Sequence, residues 1–195
     1  MKTISPVVLS GTHVRLEPLS LEHVDALCEV GLDPSIWTWN PAPIRNRDEM
    51  QAYVESALRA REDGSMFPFA TVEVPTGKVI GSTRYGAIAL EHKRLEIGWT
   101  WITPKWQRTA VNTEAKLLML RHAFGPLDCN RVEWKTDALN ERSRNAILRL
   151  GAQFEGTHRS HMLVADGRIR DTVYYSVIKS EWPSIEAGLV QKLNR

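Results

Sequence analysis

Residues 104–124 read PKWQRTAVNTEAKLLMLRHAF, and the fold turns on this stretch. Leu117, Leu120, Ala123 and Phe124 recur at helical spacing on one stripe, which Leu118 and Met119 widen, so the pattern predicts a largely buried helix. Both ends are marked. Asn112 is placed to cap the first turn and Glu114 to sit near the positive end of the helix dipole; Arg121 and His122 suit the negative end before Gly125-Pro126 stops the helix. A buried helix entered from a short loop points free backbone N–H groups out of its start, which makes a ready seat for phosphate.

Upstream, RLEIGWTWI at 94–102 alternates like a strand, with Leu95, Ile97, Trp99 and Trp101 one way and Glu96, Gly98 and Thr100 the other. Gly98 inside it predicts a bulge or a close backbone approach by a ligand. Before it, 67–74 and 78–88 read as a hairpin about Pro75-Thr76-Gly77, and 13–19 as a first strand. Two helices fall between. Ser20 caps one, with Val24, Leu27 and Cys28 on a face that ends at Gly31; Asn46 to Glu49 forms a capping box for the other, backed by Met50, Tyr53, Val54, Ala57 and Leu58. The loop joining them, DPSIWTWNPAP at 33–43, carries Trp37 and Trp39, which either wall a pocket or pack beneath the loop.

Downstream, RVEWKTDA at 131–138 reads as a strand, and Asn140 caps a helix that Gly151 ends. Strands at 153–164 and 168–178 follow, joined at Ala165-Asp166-Gly167, and Trp182-Pro183 opens a last helix with Ile185, Leu189 and Leu193 on one side. The order predicts a mixed α/β (α+β) fold. One domain over 1–195 is expected, its core at about 11–182 and a helical tail at 182–195.

The 195 residues are 43% hydrophobic and 25% charged with a formal net charge of +2, ordinary for a soluble globular chain and too mild to predict nucleic-acid binding. Cys28 and Cys129 belong to no C-x-x-C motif, so neither a disulfide framework nor a zinc ribbon is expected, and a reducing cytoplasm fits. Cys28 reads as a small core residue. The first eleven residues do not make a signal segment, and no apolar run approaches a membrane span. His158 and His161 stand three apart on a strand, so they are expected on opposite sides and unable to share a metal; no metal is expected elsewhere.

The run QRTAVN followed by TEAK and an apolar helix resembles the acyl-CoA pyrophosphate loop of the GNAT N-acetyltransferases, whose pattern is Gln or Arg, two residues, Gly, one residue, then Gly or Ala. Gln107 matches; Ala110 and Asn112 depart from it. A methyl group at Ala110 fits only if φ there is negative and the pyrophosphate is not pressed against Cα. NERSRNAILRLGA at 140–152 resembles the helix across the CoA cleft in the same family. Asp166-Gly167, Arg170-Asp171 and Tyr174-Tyr175 resemble the RimJ/RimL subgroup, which acetylates ribosomal-protein N-termini. The likeness spans roughly Gly11 to Trp182.

The resemblance implies a mostly antiparallel sheet split like a V, acetyl-CoA as acyl donor, and direct transfer to an amine acceptor, either a protein N-terminus or a small amine, with the subgroup tilting toward the former. A homodimer agrees with it, although no segment identifies an interface. It places Gln107, Arg108, Thr109, Ala110, Val111, Asn112 and Thr113 at the phosphates, and Trp37, Trp39 and Glu96 at the acceptor. Glu96 is the candidate base, or else a surface glutamate paired with Arg84 or Arg94. A backbone N–H at Gly98 or Trp99 is the candidate oxyanion donor. Ser143, in register with Ala146, Ile147 and Leu150, either assists the departing sulfur or bonds the carbonyl one turn earlier. Asn140 either reaches the pantetheine arm or serves only as the cap. No tyrosine follows on that helix, and which of Tyr174 and Tyr175 faces the cleft stays open.

Overall fold

Residues 1–40, 42–164 and 166–194 are described by a computed structural model. Ala165, in the last expected turn, lies outside the described residues. The alternating stretches become strands Leu9–Ser10 (β1), Val14–Pro18 (β2), Phe67–Glu73 (β3), Val79–Ala89 (β4), Arg94–Ile102 (β5), Arg131–Asp137 (β6), Gln153–Leu163 (β7) and Ile169–Ile178 (β8). They form one sheet in the order β1-β2-β3-β4-β5-β6-β8-β7. Its neighbours run antiparallel except β5 and β6, which run parallel. The β5–β6 ladder holds Arg94 to Arg131, Leu95 to Val132 and Glu96 to Glu133, and goes no further. Beyond Glu96 the sheet divides.

Helices cover both faces. Val24–Gly31 (α1) and Arg47–Glu62 (α2) bury Leu27, Met50, Val54 and Ala57 with Trp37 and Trp101 on one side. Ala110–Phe124 (α3), Glu141–Arg149 (α4) and Trp182–Leu193 (α5) lie on the other, where Leu120, Ile147 and Leu189 join the larger core. Asn46 caps α2 by accepting from Glu49 N–H at 2.9 Å.

α3 is buried more completely than a single stripe requires. Thr109, with extended backbone, is its cap and accepts from Val111 N–H; Asn112 lies inside the first turn and is not the cap. Glu114 does more than meet the dipole. Its carboxylate accepts from the backbone N–H groups of Thr12, His13 and Val14 at 2.9, 2.6 and 2.8 Å, fastening the helix to the turn before β2. Gly11 makes room for it, since a Cβ there would fall 2.4 Å from Glu114 Cδ.

Two bulges overturn simple alternation. On β5, Gly98 pairs with Arg84 and Trp101 with Ser82, so Trp99 and Thr100 share the place opposite Thr83; Trp99 takes φ +50°. Leu95 and Ile97 therefore face the α3 core, whereas Trp101 turns to the α1–α2 core with Trp37, not to the same side as the strand pattern predicts. On β7, Ser160 takes φ +51° where the register with β8 shifts. The rings of His158 and His161 consequently lie 5.2 Å apart on the same side, contrary to the opposite-side expectation, and both stand against Tyr174.

Candidate active site

A cavity of about 680 Å³ opens where β5 and β6 part. On the side of α1 and α2 its wall includes Trp39, Trp99, Glu96, Lys135 and Arg170; on the side of α3 and α4 it includes Gln107, Arg108, Asn112, Lys116 and Ser143.

Glu96 is 4% exposed and lies on the last rung before the sheet divides. Gly98 leaves the room that this carboxylate occupies, since a Cβ there would come within 2.7 Å of Glu96 Oε1. Its partner is neither Arg84 nor Arg94. Lys135 Nζ on β6 stands 3.0 Å from Glu96 Oε2, while Arg94 binds Glu133 and Arg84 lies over the Tyr53 ring. Burial raises the Glu96 pKa above the usual carboxylate value; Lys135 opposes that rise and Glu133 adds to it. A carboxylate so placed takes up a proton more readily than an exposed one.

Lys116 was hidden by its setting in an apolar run. It is 3% exposed, and its Nζ donates to Thr100 Oγ1 at 2.7 Å and Thr83 Oγ1 at 2.9 Å, tying β4 to β5 at the bulge. No carboxylate pairs with it among the described residues. Burial pushes its pKa down to about 7.

In the phosphate loop the left-handed residue is Arg108, at φ +62°. Ala110 begins α3 with helical backbone, so the backbone there does not require glycine. Gln107 Nε2 donates to Ile102 C=O at 2.8 Å and its Oε1 accepts from Arg142 at 2.9 Å, joining strand end, loop and α4. The side chains of Thr109, Ala110 and Val111 border a smaller depression with His13 and Glu73, and Thr113 is buried.

Asn140 caps α4, accepting from Ser143 N–H at 3.0 Å, and both residues line the cavity. Tyr174 is paired with Lys135 and shares its side of the sheet, whereas Tyr175 turns to α4, where its hydroxyl accepts from Arg144 Nε at 3.2 Å. Trp39 lines the cavity, but Trp37 does not. It is 4% exposed in the second core, with Nε1 donating to Gly31 C=O at 2.7 Å.

The cavity suits a long, amide-bearing arm. Asn112 Oδ1 and Trp134 Nε1 are buried without a hydrogen-bond partner among the described residues, and both side chains border it. An acceptor and a donor left unpaired in this way are costly unless a ligand engages them. The model of the acetyltransferase (GNAT) domain matches residues 13–153. The chain belongs to the GNAT acetyltransferase family. As a GNAT protein it is an acyltransferase, and the family's acyl donor is acetyl-CoA. It is similar to the N-acetyltransferase p20 of Bacillus licheniformis, 27% identical over 168 residues that cover 86% of this chain and 93% of the relative. The structure of a GCN5-related N-acetyltransferase from Brucella melitensis superposes with a TM-score of 0.92 at 31% identity, over 98% of this chain and 87% of that one. Mycobacterium smegmatis RimJ, solved with CoA-disulfide, shares the fold at a TM-score of 0.80 and 21% identity, over 96% and 92% of the two chains.

Sequence reasoning passed over Lys135, Lys116 and Arg170. Lys135 had a readable signal: RVEWKTDA alternates apolar Val132 and Trp134 with charged Glu133, Lys135 and Asp137, which places three charges on one side of a central strand. Lys116 and Arg170 had none, since their burial depends on packing across distant segments.

Proposed function

We propose that this GNAT protein transfers the acetyl group of acetyl-CoA directly to a primary amine, with a peptide N-terminus as acceptor. The observation that carries this reading is Glu96, a buried carboxylate of raised pKa at the rung where the sheet divides. Glu96 takes the proton of the incoming ammonium, directly or through water, and the freed amine attacks the thioester carbon. The C–S bond breaks and CoA leaves as the thiolate. The backbone N–H of Trp99, lifted out of the ladder by the bulge, is the donor to the carbonyl oxygen as negative charge develops. Ser143, on the opposite wall, is the donor nearest in kind to the departing sulfur. Gln107, Arg108 and the start of α3 receive the pyrophosphate, and Asn112 receives a polar group of the pantetheine arm.

The peptide acceptor is supported by the RimJ likeness and by the Trp39 loop at the cavity mouth. The cysteine pattern favours a cytoplasmic setting. The test is thermal unfolding with acetyl-CoA and with free CoA, followed by turnover on peptides and on polyamines. Protection by both forms with acetylation of peptide α-amines is expected. Protection without any turnover would leave only a CoA-binding role, and turnover confined to polyamines would replace the peptide with a small-molecule acceptor.

A further inference from the structure

Where the acceptor side of the sheet opens onto the cavity, its charges do not balance. Lys135 is matched to Glu96. Arg168 is matched to Asp137, whose other oxygen accepts from Leu139 N–H. Arg170, on β8 two residues from Arg168, is left over. It is 7% exposed and lines the cavity, and the side-chain partner it has among the described residues is the neutral hydroxyl of Thr172, met by Nε at 3.1 Å. Behind Trp99, Arg84 repeats the situation: it is 4% exposed, pairs with no carboxylate among the described residues, leaves Nε without a partner, and rests its guanidinium 4.4 Å from the Tyr53 ring centroid. On this side Glu133 is engaged by Arg94 and Arg131, Glu96 by Lys135 and Asp137 by Arg168, which leaves Arg84 and Arg170 with no carboxylate in contact among the described residues.

A buried guanidinium without a counter-ion is costly, and its forked N–H groups match a carboxylate or a phosphate. Burial depresses the Arg170 pKa, and Asp137 and Glu96, both engaged by other cations, oppose that from a distance without pairing with it. The missing charge has to come from outside, and the opening available is the cavity itself.

We propose that the acceptor amine carries an anionic group, a carboxylate or a phosphate, and that Arg170 receives it while the amine is presented to Glu96. This rests on the reading of the cavity as an acetyl-transfer site and adds the class of acceptor. Arg170 selects and Glu96 reacts. Lys135, between them, stays paired with the base and lends its charge to the same end of the chamber. An acceptor with further positive charge, polyamines included, meets a chamber of its own sign, and one with a neutral group leaves Arg170 unpaired; both are disfavoured.

The experiment is a two-by-two comparison of kcat/KM, following CoA release. One axis is peptide against small amine: C-terminally amidated Ser-Glu and Ser-Gln peptides on one side, 4-aminobutyrate and its amide on the other, with phosphoethanolamine and ethanolamine to separate phosphate from carboxylate. The second axis is anionic against neutral within each matched pair. The peptide axis tests the proposed acceptor class, and the charge axis tests Arg170, so either can fail alone. The anionic member is expected to be favoured by about tenfold or more, and Arg170→Met to bring that ratio near one. Acetyl-CoA protection against unfolding checks that the variant is folded, and Arg170→Lys, which keeps the charge without the fork, is expected to restore part of the preference. Equal use of charged and neutral partners by the unaltered protein, or an undiminished preference in folded Arg170→Met, would overturn the proposal.

Discussion

Lys135 Nζ and Glu96 Oε2 face each other 3.0 Å apart across β5 and β6, Glu96 on the last rung of the ladder between those strands and Lys135 two residues past it. Burial raises the pKa of this carboxylate, and the ammonium of Lys135 opposes the rise. Removing either partner separates these two effects.

Glu96→Gln preserves shape and hydrogen bonding but cannot take a proton. Turnover is expected to fall by about 10²-fold or more, with acetyl-CoA protection in thermal unfolding nearly unchanged. Equal losses in both would remove Glu96 from the role of base.

Lys135→Met deletes the charge that opposes the rise in the Glu96 pKa. The base must be ionised to work, so activity is lost as pH falls through that pKa. In the variant the acidic limb of the kcat profile should therefore move to higher pH. A limb that stays in place would mean that some other group controls it.

Lys116 yields a stability prediction with a defined sign. The unfolded chain holds this proton up to about pH 10.4, whereas the folded protein releases it near pH 7. Between those values the unfolded state binds more protons, so this group makes folding more favourable as pH rises, by up to about 1.4 kcal/mol per unit. Urea unfolding of the protein and of Lys116→Met at pH 7 and pH 9 should show the difference between them changing in favour of the lysine. A difference independent of pH would show that Lys116 is not held in the manner described.

The carboxylate of Glu114 is the fastening between α3 and the turn before β2. Glu114→Ala leaves three N–H groups without an acceptor, the buried one of Val14 among them, and should lower stability by about 3 kcal/mol or more. Calorimetry or denaturant titration reads this directly.

Arg108→Gly tests the loop from the opposite direction. Relief of the left-handed backbone should stabilise the fold by about 1 kcal/mol, while loss of the guanidinium weakens acetyl-CoA protection if that side chain meets the phosphates. Ala110→Gly, by contrast, should not tighten acetyl-CoA binding, because the helical backbone there already admits a methyl group.

Much of the architecture was legible because its signals are local. The buried stripe of α3, the caps at Asn46 and Asn140 and the hairpin about Pro75-Thr76-Gly77 each follow from a few adjacent residues. Glu96 was found for a similar reason, as a carboxylate beside a glycine on a central strand. What stayed hidden depends on bulged register, with two residues opposite one at Trp99 and three opposite one at Ser160. The bulge at Trp99 sends Trp101 to the opposite side from Leu95, and the bulge at Ser160 brings His158 and His161 together. A period of two has no way to record an inserted residue. The charges that shape the chamber were missed for another reason: Lys135, Arg168 and Arg170 acquire their meaning from which carboxylate each one finds, and those partners lie on other strands or, for Arg170, are absent among the described residues.

The brevity of the β5–β6 ladder also has a mechanical side. Three residue pairs, reinforced by the Arg94–Glu133 and Lys135–Glu96 bridges, join the half-sheet β1 to β5 to the half-sheet β6 to β8. Pulled apart perpendicular to its strands, the molecule should tear along this seam first, as cloth tears at a short row of stitches. Whatever fills the gap between the halves would act as mortar, raising the force needed to separate them.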